Sequence, residues 1–122
     1  MKLNIEEFKQ HYIACLLWSS MDDNDTPLDH NWTAQDLSQD ALDQIHQDCH
    51  IFLYNIPYYI SVGLVPVDTA RLAYDFWLTR NGHGAGFWDG DWRDDIGADL
   101  TKLSKSFSHQ DPYVGDDGEI YL

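Results

Sequence analysis

The stretch from Ser38 to Ile56, SQDALDQIHQDCHIFLYNI, decides the fold class. Leu42, Ile45, Cys49, Phe52 and Ile56 recur at spacings of three and four, the period of a helix with one buried stripe. Ser38 stands at the N-cap, and Asp40 sits in the first turn, where the helix dipole favours an anion. Asp40, Asp43, Gln47 and Asp48 fall off the stripe, and the pattern turns them toward water. Pro57 ends the helix because it lacks an N–H and crowds the preceding turn.

Toward the N-terminus, Asn4 with Glu7 three residues on has the form of a capping box and predicts a helix from Ile5 to Ser19. Ile5, Phe8, Tyr12, Cys15 and Leu16 form its stripe; Ile13, Leu17 and Trp18 widen it enough to make this helix central. Residues 20–37 read as a long loop, with turn chemistry in Asp22-Asp23-Asn24-Asp25-Thr26-Pro27 and with Leu28 and Trp32 pinning it to the core.

Toward the C-terminus, Tyr58 to Leu64 reads as a helical turn. Pro66 suits the first position of a helix running to Arg80, with Leu72, Ala73, Phe76 and Trp77 inward and Asn81-Gly82 as its stop. Four glycines between Gly82 and Gly90 forbid a helix there. A last helix fits Asp94 to Phe107, with Ile96, Leu100, Leu103 and Phe107 inward. Tyr113 to Tyr121 has the signature of a tight hairpin. A lone hairpin is marginal, so it must pack on the helices or pair with Gly86–Trp88. The expected architecture is mainly α (α+β): one domain, residues 1–122, built as a compact bundle of about four helices with a small C-terminal β-hairpin.

The chain has 122 residues, of which 43% are hydrophobic, enough for a buried core without a metal or disulfide staple. Twenty-one Asp and Glu stand against seven Lys and Arg, a formal charge of −14. That argues against direct binding to DNA, RNA or an anionic membrane, since each phosphate contact needs a cation. Residues 22–50 carry eight Asp and no Lys or Arg, and residues 89–122 carry nine acids and three bases. Between them lies a nearly neutral middle. The longest apolar stretch, Ile51 to Val67, is broken by Pro57, Gly63 and Pro66, so no membrane span is expected. No secretory signal is visible in the first residues. Cys15 and Cys49 sit among apolar residues and read as buried free thiols, which suits a soluble protein in a reducing cytoplasm.

The segment DFWLTRNGHGAGFWD, Asp75 to Asp89, resembles a stretch typical of a family of small uncharacterised proteins from bacteriophages and other mobile elements. Two further segments share the resemblance: Trp18-Ser19-Ser20 with Asp22-Asp23 and Pro27-Leu28-Asp29, and the tail YVGDDGEIY from Tyr113 to Tyr121. The resemblance extends over most of the chain. The resemblance implies a phage or prophage origin and a bacterial host cytoplasm as the place of action; it implies no activity.

His83 between two glycines, with Arg80, Asn81 and Asp89 near in sequence, has the residue types for acid–base work. The structural reading of the same loop has Gly82 capping a helix and Gly84 and Gly86 letting the chain press on the rings of Phe87 and Trp88. No GK[ST] follows the glycines, so this is not a phosphate loop. His46 and His50 are an i, i+4 pair without an HExxH pattern or a second pair, which reads as surface histidines. The Asp22–Asp25 run lacks the EF-hand glycine and glutamate: Pro27 and Thr33 stand in those positions. Neither a catalytic residue nor a metal or other cofactor is assigned.

What stands out is the acid. Rows of carboxylates can imitate phosphates and occupy the cationic groove of a nucleic-acid-binding protein. The expectation is therefore a phage accessory protein that acts as a non-enzymatic inhibitor of a host DNA-binding or defence complex, such as a restriction or CRISPR effector. Its partner-binding residues would be Asp22, Asp23, Asp25, Asp29, Asp36, Asp40, Asp43, Asp48, Asp89, Asp91, Asp94 and Asp95. Arg80, Asn81, His83 and Trp88 would form a motif loop. The alternatives are a small enzyme centred on Arg80, Asn81, His83 and Asp89, and a phage interaction module unrelated to nucleic acid.

Overall fold

The computed structural model of the protein describes residues 3–88 and 92–122. Five helices follow in order: α1 (Ile5–Ser19), α2 (Gln39–Asn55), α3 (Tyr58–Ser61, a single turn), α4 (Thr69–Arg80) and α5 (Asp94–Lys105). Strands β1 (Tyr113–Val114) and β2 (Ile120–Tyr121) pair antiparallel, with Tyr113 opposite Tyr121 and Val114 opposite Ile120. The fold is mainly helical with a small C-terminal hairpin, as the periodicities predict.

The caps explain where the helices start. The Asn4 carboxamide oxygen accepts from the backbone N–H of Glu6 at 2.9 Å and of Glu7 at 3.1 Å, and the Ser38 hydroxyl accepts from Ala41 N–H at 3.1 Å. α4 begins later than Pro66 suggests. The Asp68 carboxylate accepts from Ala70 N–H at 3.0 Å, and this cap outweighs the preset backbone of the proline. The loop at residues 20–37 holds two short 3₁₀ turns, Leu28–His30 and Ala34–Asp36. Leu28 is fully buried and Trp32 partly, so they do pin it.

Helix α4 packs along α1, and α5 packs on α4. This makes α4 the most enclosed helix, because every residue from Leu72 to Arg80 except Tyr74 is buried. The core is aromatic at its centre: Phe52 stacks on Phe76 with centroids 4.0 Å apart, Phe8 stacks on Phe52 at 5.7 Å, and Tyr12 meets the Trp77 ring edge-on at 5.4 Å. Trp18, expected to widen the α1 stripe, instead faces out at 44% exposure. The stripe is already filled by Ile13 and Leu17.

The hairpin does not pair with Gly86–Trp88. Ile120, fully buried, bridges to Leu37, and the Ile120 carbonyl accepts from Ser38 N–H at 2.9 Å. The N-terminal end of α2 thus receives the tail. Among the described residues no helix is long and apolar enough to cross a membrane.

The glycine loop divides in two. A Cβ on Gly86 would lie 2.5 Å from the Thr79 hydroxyl and 2.7 Å from the Trp88 ring, so the expected close approach is real there. Gly84 has nothing within 4 Å, and the expectation for it fails. Gly86→Ala should therefore destabilise by about 1–3 kcal/mol through overpacking, whereas Gly84→Ala should be neutral or stabilising by up to about 1 kcal/mol. Urea denaturation of both variants checks this; equal effects would refute the division.

Cys15 and Cys49 are free and buried, and burial pushes both thiols up to about 12. The folded state thus resists forming the thiolate. The thiols' contribution to stability should be constant below the ordinary thiol range and should fall as pH rises from there toward about 12, because only the unfolded chain's thiols ionise in that window. Thiol-reagent labelling should be absent in the native protein at pH 8 and reach both cysteines in urea.

Candidate acidic interface

Two physical demands shape the site: a buried charge must be paired, and exposed like charges must be held apart or held on purpose. Arg80 and Asp48 answer the first. The Arg80 Nη1 donates to Asp48 Oδ2 at 2.7 Å and to the Tyr12 hydroxyl at 3.1 Å, with both charged side chains almost fully buried. Its Nε and Nη2 donate to the Ser108 carbonyl at 3.1 and 2.6 Å. The guanidinium also lies 5.2 Å from the Phe107 ring centroid and 5.7 Å from that of Phe76. Asp48 takes a further bond from Gln44 Nε2 at 2.8 Å. Burial pushes the Tyr12 phenol well above its ordinary range, so it stays protonated beside this pair.

Asp48 thus departs from the sequence expectation. It lies one step off the α2 stripe but faces Arg80 and not water, and it offers no charge to a partner. Asn81 is also committed: its Nδ2 donates to the Trp77 carbonyl at 3.0 Å, and its Oδ1 accepts from Gln110 N–H at 2.8 Å. His83 is half-buried, its backbone N–H bonded to the Leu78 carbonyl at 3.0 Å. Trp88 is 46% exposed, with the Lys105 ammonium 5.8 Å from its ring centroid. Arg80 and Asn81 thus hold the 108–110 segment and are not presented beside His83 as a catalytic group. Among the described residues no three His, Cys, Asp or Glu side chains converge on a metal position.

With residues 108–110 held, the tail beyond them is positioned too. Asp111 and Tyr113 line two clefts at once. One, of about 350 Å³, also involves Met21, Asp22, Asp23 and Trp32; the other, of about 560 Å³, also involves Ser38, Asp40, Gln44 and Tyr121. The loop at 21–24, the start of α2 and the C-terminal tail therefore form one continuous surface. Segments 20–44 and 106–122, which build it, contain eleven acidic residues and no Lys or Arg.

The expected carboxylates fall into three groups. Asp23 and Asp40 are exposed and line this surface, and Asp25 and Asp29 are exposed in the same 20–37 loop as Asp23. Asp22 lines the surface too, and Asp22, Asp36 and Asp43 shape the backbone or a neighbour. Asp22 Oδ1 accepts from Asn24 and Thr26 N–H at 2.8 and 3.0 Å, Asp36 Oδ2 accepts from Thr33 N–H at 2.8 Å, and Asp43 accepts from Gln39 Nε2 at 2.9 Å. Asp94 and Asp95 stand elsewhere, among bases. Arg93 grips Asp95 with two bonds of 3.0 and 2.8 Å, which holds its carboxyl down at about 2, and Asp94 shares a cleft with Lys102, Trp88 and Trp92. The clefts on that side share no lining residue with the acidic pair. Asp89 and Asp91 lie outside the described residues.

Sequence reasoning missed Asp111, Asp116, Asp117 and Glu119, all exposed. The Tyr121 hydroxyl donates to Asp117, which lowers that carboxyl below its usual range and pushes the phenol up to about 12. The signal for these residues was present: residues 106–122 lack Lys and Arg, as residues 10–70 do. Neither family models, curated proteins nor solved structures give a match to this chain.

Removing Asp48 would strand the Arg80 charge in the core. Asp48→Ala should cost about 3–5 kcal/mol in urea denaturation, and the double variant Asp48→Ala/Arg80→Met should recover part of that loss. A single-variant loss under about 1 kcal/mol would show that the pair does not organise the core.

Proposed function

We propose that the protein is an acidic, non-enzymatic inhibitor of phage or mobile-element origin. In this reading it binds a host DNA-binding or defence protein, its carboxylates occupying the sites where that protein takes DNA phosphates. The observation that carries the reading is the base-free acidic surface built from segments 20–44 and 106–122. A face meant only for solubility needs no segregation of charge, because mixed signs serve that purpose as well. This surface also carries large side chains at its edge and centre. Tyr113 is 55% exposed, Met21 is exposed next to Asp22, and Trp32 is half-buried in the lining of the same cleft. Aromatic anchors set among charges are the usual composition of a binding hot spot. The acids supply long-range attraction and orientation, and the aromatics supply the contact that persists after docking.

The target is sought by pull-down from a bacterial lysate, with retained proteins identified by mass. A captured protein that binds DNA and loses that DNA to the inhibitor supports the reading. Capture confined to proteins without a basic groove would refute it. Binding should weaken steeply between ~0.1 and ~1 M salt, where the screening length falls from ~10 to ~3 Å. Affinity that stays flat over that range would also refute it.

Charge reversal separates the faces. Asp23, Asp111 and Asp116 make no side-chain bond among the described contacts. Reversing all three to Lys should change stability by less than about 0.5 kcal/mol per site. It should lower the association rate at least ~tenfold, because steering follows the summed field. Reversing Asp94 and Asp95 should change the rate by less than ~threefold. Stopped-flow kinetics on the captured target reads both.

A further inference from the structure

Of the five asparagines in the chain, Asn81 alone precedes a glycine. Such a pair has a spontaneous reaction of its own, because glycine has no Cβ to keep the asparagine side chain off the next backbone nitrogen. The Gly82 nitrogen would attack Asn81 Cγ and lose its proton to solvent base. The Cγ–Nδ2 bond breaks and ammonia leaves. Water then opens the cyclic imide at either carbonyl, giving aspartate or isoaspartate and one more negative charge. Solvent is the sole co-reactant.

Water has access, since Gly82 is exposed and Asn81 only half-buried. Geometry is what holds the reaction back. Closing the ring requires the Gly82 nitrogen to eclipse the Asn81 Cβ, and Asn81, at the C-terminal end of α4 with ψ 6°, is far from that angle. The nucleophile is engaged, because Gly82 N–H donates to the Thr79 carbonyl at 3.2 Å. The electrophile is held from both ends: Nδ2 donates to the Trp77 carbonyl at 3.0 Å, and Oδ1 accepts from Gln110 N–H at 2.8 Å. All but the last of these restraints are internal to the end of α4. The last comes from the docked segment, whose His109 ring also lies against Gly82, 3.6 Å from where a Cβ would stand.

We propose that Asn81-Gly82 is a latent modification site that the docked 108–110 segment keeps closed. When the segment lifts, the Asn81 carboxamide loses a restraint, the last turn of α4 frays, and the ring closes. Docking again does not undo the product. A carboxylate has no proton to give the Trp77 carbonyl and is repelled by it. Isoaspartate also adds a methylene to the backbone within the turn that presents the acceptor to Gln110. The 108–110 segment thereby loses an anchor, and the tail that builds the acidic surface loses its fixed position. A lapse in tail docking becomes a lasting loss of that surface, whatever the surface binds.

Peptide mass spectrometry on the full chain, incubated at mildly alkaline pH, reads the conversion as one mass unit gained at Asn81. The native chain should convert at least tenfold more slowly than the same chain in urea. Gln110→Pro removes the clamping N–H and should raise the native rate at least threefold; Gln110→Ala retains that N–H and should change the rate less than twofold. Ile120→Val weakens the seat of the tail on Leu37 without touching the clamp, and it should also raise the rate. Circular dichroism reports the fold of each variant. Wild-type protein isolated after conversion should be cleaved by protease within residues 106–122 at least threefold faster than unconverted protein. Native conversion as fast as in urea overturns the proposal. So does a rate that Ile120→Val and a folded Gln110→Pro both leave unchanged, equal acceleration by Gln110→Ala and Gln110→Pro, or a converted chain whose tail stays as protected as before.

Discussion

The contact between Arg80 and Asp48 constrains the rest of the molecule. Both side chains are buried, and a buried unpaired charge is among the most destabilising things a core can hold. The pair can exist only if α2 and α4 approach closely at these two positions. The remaining donors of the guanidinium must then find acceptors, and they find Tyr12 on α1 and the Ser108 carbonyl. One cation thereby ties three helices to the segment beyond α5. Phe76 and Phe107 close over it and keep water out. An apolar core of the same volume would be as stable; what the ion pair adds is a single permitted position for the chain at residue 108.

That position has a consequence at the surface. From Ser108 the chain reaches Gln110, anchored again by Asn81, and then runs beside the 21–24 loop to pair with the start of α2. Two segments distant in sequence, both without bases, become one face. The polar chemistry of Arg80 and Asn81 is thus accounted for by its role in building a surface some way from itself. The repulsion among the assembled carboxylates lowers stability, and several of them recover part of it as caps and turn acceptors: Asp22, Asp36 and Asp117 each receive backbone N–H bonds.

Periodicity and capping made the helices legible. The α2 stripe, the Asn4 and Ser38 caps and the hairpin at Tyr113–Tyr121 are local signals, and local chemistry decides them. What stayed hidden was every feature set by a partner far along the chain. Asp48 reads as solvent-facing because a charge off the stripe normally is, and nothing nearby announces Arg80, thirty-two positions later. Gly84 and Gly86 look equivalent in sequence, yet only Gly86 meets Thr79 and Trp88. The acids of the tail were overlooked for a similar reason. As turn residues they have a sufficient local explanation, and only the pairing of Ile120 with Leu37 brings them to the other acidic segment.

The distribution of charge is then a property of the fold and not of composition alone. The same 21 acids scattered evenly would repel any copy of the chain from every side and steer a basic partner to no particular place. Eleven of them lie in segments 20–44 and 106–122, which meet at the start of α2, and none lies between Ile51 and Val67, a stretch that begins at the other end of that helix. A helix of 17 residues rises about 25 Å, well beyond the ~8 Å screening length at physiological salt, so the field at one end barely reaches the other. The two ends of α2 therefore differ in charge, with Asp40 and Asp43 near its start and no acidic residue in it after Asp48. The buried Asp48 near its middle locks that helix in place.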